Sequence, residues 1–557
     1  MHNFPIDTTT QISDDNRHGT MPFLDLPYEI LQQIISYLLS NRDVAALSIQ
    51  CRKLHVMCDM RARQKYEQII VYSEEGHIDN VFELLMNILK SPILGQYVRR
   101  IECLVPETTD LVYKEVKYQR DLSNEEMDLV RKTVRKAGFT GSKEEQVVNM
   151  LMQRITKEGR YLDGQRNRPG TFICQALTIM LIVVSPNLTS MAFPSPIDGD
   201  WQFPLAQFLT EANASPESKP YLRLLHDVDL VYQKLWFWEA GERSFMQMNF
   251  FDSLRYLDSL LSIESVNADI VEEERYTEHD FRVGYSNISR MAIDCSSLEA
   301  LPLAVLISSF KVLREFIYYA GGILSWDTPF NPRTFFRAMC RHKDTLEILD
   351  VDVACQFNLL DIGDVDRREY ALQDDDSNYG PYPDKARAKF LSLVQKQHGT
   401  LKDFVALKRL SLGIDMLLYF AKGITFDRWL LPEGYEDLRL IDCLPDSLEY
   451  LCVRGYRKGK NPEHDKHMKG LLALFKSGSS SLKEVEGIEA TVPFVRSPDD
   501  IEHDPRVWAL RPLNDSDSES EVQSGFEGGI VSWAESEVES EVESEVESEI
   551  VSASESD

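Results

Sequence analysis

The apolar positions of the chain change period along its length. Between residues 22 and 60 they recur every three or four positions: Leu26, Ile30, Leu31, Ile34, Ile35 and Leu38 fall on one wide face, the signature of an amphipathic helix. Asp25 precedes a Leu-Pro step, and proline is tolerated in a first helical turn because the N–H it lacks has no partner there. Glu29 then stands where a carboxylate suits the helix dipole. Asn41 is placed to cap a second helix over 43–47, and Ser48 a third that carries Leu54 and Met57. A block of about 40 residues is too small to bury so much apolar surface by itself. Part of it is therefore expected to face another chain or the segment that follows.

From residue 61 a different phrase returns. A leucine is followed by two variable positions and then by alternating apolar residues, as after Leu188, Leu313, Leu346, Leu407, Leu448 and Leu482. The alternation predicts strands with one buried face. The segments ahead of them, including 172–184, 302–310, 332–341 and 469–476, predict helices. One helix and one short strand per unit is the arrangement of a leucine-rich-repeat solenoid, in which each unit buries its apolar side on its neighbours. The repeat is irregular: steps of 33 residues (Leu313 to Leu346) and 34 (Leu448 to Leu482) contrast with 61 between Leu346 and Leu407. That long step contains an acidic insertion, 361–385, expected as an exposed loop. The alternative is an α/β domain whose strands merely look alike. Between 107 and 168 two charged amphipathic helices are expected, over 121–136 and 142–156, either as a projecting hairpin or as a longer first repeat.

Three separate segments of the N-terminal block agree in order and spacing with one family. Leu26-Pro27-x-Glu29-Ile30-x-x-x-Ile34-x-x-Tyr37-Leu38, then Asp43-x-x-x-Leu47-Ser48, then Cys51-Arg52-x-Leu54-His55, closely resembles the F-box motif. The chain that follows resembles the irregular leucine-rich regions of fungal F-box proteins. The resemblance implies a three-helix module that binds a Skp-family adaptor, which in turn binds a cullin. By position, Leu26, Pro27, Ile30 and Ile34 would reach the adaptor, with Leu38, Leu47 and Leu54 divided between contact and internal packing. The implied function is that of a substrate-recognition subunit of an SCF-type ubiquitin ligase, with an unidentified protein substrate held by the leucine-rich region. The alternative is a non-ligase scaffold that binds the adaptor without cullin. The expected fold is α+β. Residues 1–21 would be disordered, 22–60 a three-helix F-box, 61–510 an irregular leucine-rich-repeat-like α/β solenoid with a helical insertion near 107–168, and 511–557 a disordered acidic tail.

Charge sharpens the choice of partners. Of a net charge of −30, half lies on residues 514–557, which hold fifteen Asp or Glu and no Lys or Arg. Without a basic surface, neither nucleic acid nor anionic membrane is an expected partner. The nine cysteines are scattered and contain no C-x-x-C pair, which suits reduced thiols in the cytoplasm or nucleus. The N-terminus lacks the plan of a signal peptide. The most apolar run, 172–184, falls short of the roughly 20 residues a bilayer requires.

Catalytic motifs are missing: no G-x-G-x-x-G, Walker A, H-E-x-x-H or G-x-S-x-G occurs, so no catalytic residue, cofactor or metal is expected. His464 and His467, in a charged stretch rich in Gly and Lys, read as part of a solvated loop. An F-box subunit would act by bringing substrate near a charged conjugating enzyme, a gain of proximity. Trp236-Phe237-Trp238, Phe316-Ile317-Tyr318-Tyr319 and Phe335-Phe336 are candidate aromatic anchors, most of them expected in the core. Arg314, Tyr318, Glu347, Arg409, Glu449 and Arg454 are candidates for the concave side. In the tail, Ser536, Ser540 and Ser544 each have Glu at the next and third positions, a pattern suited to phosphorylation by an acid-directed kinase.

Overall fold

The computed structural model describes residues 23–38, 41–73, 76–104, 119–154, 169–193, 221–231, 263–269, 282–296, 300–320, 330–353, 384–423, 439–478 and 480–495, with a few isolated positions between them. Residues 1–21 and 511–557, most of the insertion at 361–385, Trp236-Phe237-Trp238, Ser536, Ser540 and Ser544 lie outside the described residues.

Helices α1 (Tyr28–Ser36), α2 (Asn41–Ser48) and α3 (Arg52–Cys58) open the chain, and α4 (Met60–Glu67) leads directly into the first strand. Ser48 does not cap α3. It is the last residue of α2, and its hydroxyl donates to the Ala45 carbonyl at 2.8 Å, the local back-bond that serine makes inside a helix.

Among the described residues eleven strands follow: β1 (Gln68–Tyr72), β2 (Arg100–Leu104), β3 (Ser190–Phe193), β4 (Asp227–Leu230), β5 (Ser265–Asp269), β6 (Arg290–Ser296), β7 (Glu315–Ala320), β8 (Ile348–Asp352), β9 (Arg409–Gly413), β10 (Tyr450–Arg454) and β11 (Glu484–Glu486). They form one sheet in sequence order, and every neighbouring pair is parallel. Parallel neighbours need crossovers, and helices supply several of them: α5 (His77–Lys90), α6 (Asn124–Lys136), α7 (Ser142–Met152), α8 (Pro169–Val184), α9 (Ala300–Ser309), α10 (Pro332–Cys340), α11 (Asp384–Gln395), α12 (Ile414–Lys422) and α13 (Pro462–Ser477).

Register explains why the sheet holds together. Ile69 of β1 pairs with Ile101, and the row continues strand by strand through Met191, Phe316 and Leu410 to Val485 of β11. Three residues before each member stands another apolar side chain, from Tyr66 and Val98 to Leu448 and Leu482; ten of these eleven are buried. The recurring phrase is thus a buried residue, two variable ones and a strand with alternate positions inside. Each fully buried member contributes roughly 1.5–3 kcal/mol. A one-residue slip would turn a whole strand's apolar set outward.

All six strands expected after the leucines are present. Five more, β1, β2, β4, β5 and β6, lie beyond that expectation; four of these have Tyr66, Val98, Ile263 or Ile288 in the leading place instead of leucine, and β4 has Leu225. Helix α8 is buried at every position from Phe172 to Val183, which is why its apolar residues run all the way round. Helices α6 and α7 pack on α8 and do not project from the core. Their base closes through Arg120, which ion-pairs with Asp79 of α5 at 2.5 Å and lies 4.2 Å from the centre of the Phe82 ring. No helix among the described residues is long and apolar enough to cross a membrane.

The stretch around His464 corrects the expected solvated loop. Asn461 caps α13 by accepting from the Glu463 N–H at 3.0 Å, and Pro462 takes the first helical position. His467 is therefore buried on a helix, and His464 is half-buried, 3.3 Å from Asp415.

Tyr318 also departs from expectation: it is not on the concave side but fully buried. Phe316 and Tyr318 follow Leu313 by three and five residues, so both fall in the inward register of β7, while Ile317 and Tyr319 take the other face. The Tyr318 hydroxyl donates to the Ser296 carbonyl at 3.2 Å and accepts from the Leu298 N–H at 3.1 Å, which satisfies it in the interior.

Candidate functional site

The first three helices have a small core of their own: Leu31, Ile35, Val44, Met57 and Cys58, with Leu26, Leu38, Leu47 and Met60 packed against it. Leu54 is buried as well. Pro27, Ile30, Ile34 and Tyr37 stand outside that core. Their spacing of three, four and three residues puts them in one stripe along α1. Ile34 is half-buried, Ile30 is 42% exposed and Tyr37 is 71% exposed. Phe23, Leu24, Tyr28, Ile49 and Val56 are exposed too. Half of the large exposed apolar side chains among the described residues, seven of fourteen, thus fall between 23 and 56. Such a concentration marks an interaction surface. Gln32 donates to the Tyr28 hydroxyl at 2.7 Å and Gln33 to that of Tyr37 at 3.2 Å, which aligns both rings along α1.

The expected adaptor residues therefore separate. Pro27 and Ile30 are at the surface, Ile34 is at its edge, Leu26, Leu38 and Leu47 lean on the local core, and Leu54 is buried. The apolar pattern of the sequence does not single out Tyr28, Tyr37, Ile49 and Val56 as exposed.

A short junction joins these helices to the sheet. Asp59 adopts φ 45° between α3 and α4 and accepts from the Ala62 N–H at 3.4 Å, so one residue ends one helix and caps the next. Arg63 of α4 is buried; its Nε donates to the Cys58 carbonyl at 2.8 Å and its guanidinium lies 4.5 Å from the centre of the Tyr97 ring.

The second candidate surface is the sheet face opposite the apolar row. Arg100 of β2 bonds Glu102 at 2.5 Å, Ser190 of β3 at 2.7 Å and Asp229 of β4 at 2.7 Å, and Asn267 of β5 donates to Asp229 at 2.6 Å. Towards the other end, Arg454 of β10 meets Asp350 of β8 at 2.6 Å, and Tyr319 of β7 donates to the same carboxylate at 2.8 Å. Burial opposes the Arg454 charge, but Asp350 outweighs it and raises the pKa; burial first and Asp350 second push the Tyr319 phenol up to about 12. Just before β7 to β11, Arg314, Glu347, Lys408, Glu449 and Lys483 alternate in sign, with Arg314–Glu347 at 3.0 Å, Lys408–Glu347 at 2.7 Å and Lys483–Glu449 at 2.7 Å. Arg409 is exposed and lies 4.6 Å from the centre of the Tyr450 ring. Phe316, Phe335 and Phe336 are fully buried and are not surface anchors. Among the described residues no cluster of three His, Cys, Asp or Glu could hold a metal.

An F-box-like family model matches residues 23–62, the span of the exposed stripe, its small core and the start of α4. Those residues form an F-box-like domain, a module that typically binds Skp-family adaptors and has no catalytic role of its own. No curated protein matches the chain.

Proposed function

We propose that the chain is the substrate-recognition subunit of an SCF-type ubiquitin ligase. The observation that carries this reading is the stripe of Pro27, Ile30, Ile34 and Tyr37, exposed at all but the half-buried Ile34, within the residues that match the F-box-like model. In this reading the stripe docks a Skp-family adaptor and, through it, a cullin, in the cytoplasm or nucleus. Leu26, Leu38, Leu47 and Leu54 shape the helices behind the stripe. Residues 22–60 are the docking domain and 61–510 an irregular leucine-rich-repeat-like solenoid, a reading supported by eleven parallel strands in sequence order and by the recurring apolar phrase. The open sheet face holds a protein substrate. Phosphorylation of Ser536, Ser540 and Ser544 in the acidic segment would add charge to it.

The test is recovery of the full chain from cells and detection of adaptor and cullin. The unaltered chain brings both; Pro27→Ala with Ile30→Lys, at exposed positions, loses both. Adaptor without cullin would replace the ligase reading with an assembly role, and full recovery of both by the double variant would overturn the docking face.

A further inference from the structure

The residues after β11 return across the ends of three strands. Gly487 has φ 83°, and a Cβ there would overlap the Val453 carbonyl oxygen, so only glycine passes this close to β10. Ile488 is buried. Val492 then bridges to Arg454, and its carbonyl accepts from the Gly455 N–H at 2.9 Å. The Phe494 ring lies on Gly413 and Gly455, the glycines at the ends of β9 and β10: a Cβ at Gly413 would stand 3.2 Å from the ring, and one at Gly455 would overlap it. Val495 N–H donates to the Asp352 carboxylate at the end of β8, 2.5 Å away.

Seat and occupant differ in how they are held. The seat is built into the sheet: Asp352 is buried, and the two glycines leave a bare backbone platform. Beyond Ile488 the occupant is held by those two hydrogen bonds, the ring and one exposed ion pair, Lys476–Glu489. Phe494 stays 36% and Val495 42% exposed, and the Lys476–Glu489 pair beside them, at 2.8 Å, lies in solvent. Segments with so few buried contacts open far more readily than the sheet beneath.

We propose that the ends of β8, β9 and β10 form a binding site for an extended peptide that presents an aromatic residue, and that residues 492–495 occupy it as a displaceable ligand of the chain's own. Main-chain bonds to Gly455 and Asp352 supply affinity, and the ring on the glycine platform supplies selectivity. A tether holds a weak ligand in place because it acts at a local concentration of the order of millimolar. A partner segment with a better fit displaces it. Peptide capture here requires no adaptor, so it stands or falls separately from docking at residues 23–62.

The test uses the full chain carrying Phe494→Ala and a labelled peptide of residues 488–498. The variant binds the peptide saturably and about tenfold or more tightly than the unaltered chain, whose own ring competes. A peptide with alanine in place of Phe494 does not bind, and adding Gly413→Val to the chain abolishes capture; the extended backbone at Gly413 (φ −61°) accepts valine without strain. Equal binding of both peptides, or none by the folded Phe494→Ala chain, overturns the proposal. Hydrogen exchange on the unaltered chain decides the matter even if the variant unfolds. The Gly455 amide should exchange well before those of β9 and β10, and exchange only with global unfolding would make the segment a fixed part of the sheet.

Discussion

Arg454 reaches across β9 to Asp350, joining β10 to β8 by two bonds of 2.6 and 3.3 Å over the small side chain of Ser411. Arg454 is buried, so its charge depends on this carboxylate. Asp350→Ala is expected to cost about 3 kcal/mol by leaving that charge unpaired. Glu449→Ala, which breaks an exposed, solvent-screened pair with Lys483, should cost far less. Urea denaturation of both variants measures the difference.

His342 gives the sheet a sensitivity to mild acid. Burial, with a smaller contribution from Arg341, lowers its pKa from 6.5 to about 4, against the opposing bond of its Nε2 to the Ile307 carbonyl at 2.8 Å. The unfolded imidazole takes up a proton near 6.5 and the folded one only near 4, so the unfolded state binds more protons in between. Stability is therefore full above 6.5 and falls as pH drops towards 4, by an amount on the order of 3 kcal/mol. His467, also lowered by burial, adds in the same direction. In His342→Gln the fall between about pH 6.5 and 4.5, followed by thermal melting, should be clearly smaller.

Tyr318 and Tyr319 are neighbours with opposite duties. Tyr318→Phe strips two interior hydrogen bonds and should cost about 1–3 kcal/mol. Leu410→Ala, in the middle of the apolar row, should cost about 2–5 kcal/mol. Neither change touches residues 23–62, so adaptor binding measured on the folded fraction should be unaltered.

At the junction, Arg63→Met leaves the Cys58 carbonyl without its buried donor, at a cost of about 1–3 kcal/mol. Hydrogen exchange should quicken over 58–67 while the amides of β7 to β10 keep their protection.

The helical block is legible in the sequence because three-residue and four-residue spacing survives whatever the block packs against. Its outward stripe is half legible: Pro27 and Ile30 follow by position from the F-box resemblance, but Tyr37 does not, since its exposure depends on where α1 meets α3. The strands after Leu313, Leu346 and Leu448 can be read because leucine marks them. Those after Val98, Ile263 and Ile288 are hidden behind a different apolar residue in the same place. Helix α13 reads too short because Asn461-Pro462, a cap and first turn, sits among charges that look like a loop. The seat of Phe494 on Gly413 and Gly455 cannot be read at all, because it joins positions 81 and 39 residues apart.

Docking of a Skp-family adaptor on the exposed stripe of α1 is tested most directly by calorimetric titration. Purified adaptor is added to the full chain and, in parallel, to an Ile30→Lys, Tyr37→Lys variant whose melting temperature matches the unaltered chain. The expected result is saturable one-to-one binding that the variant weakens by about a hundredfold or more. Equal affinity for both chains, or no binding by the unaltered one, would contradict it.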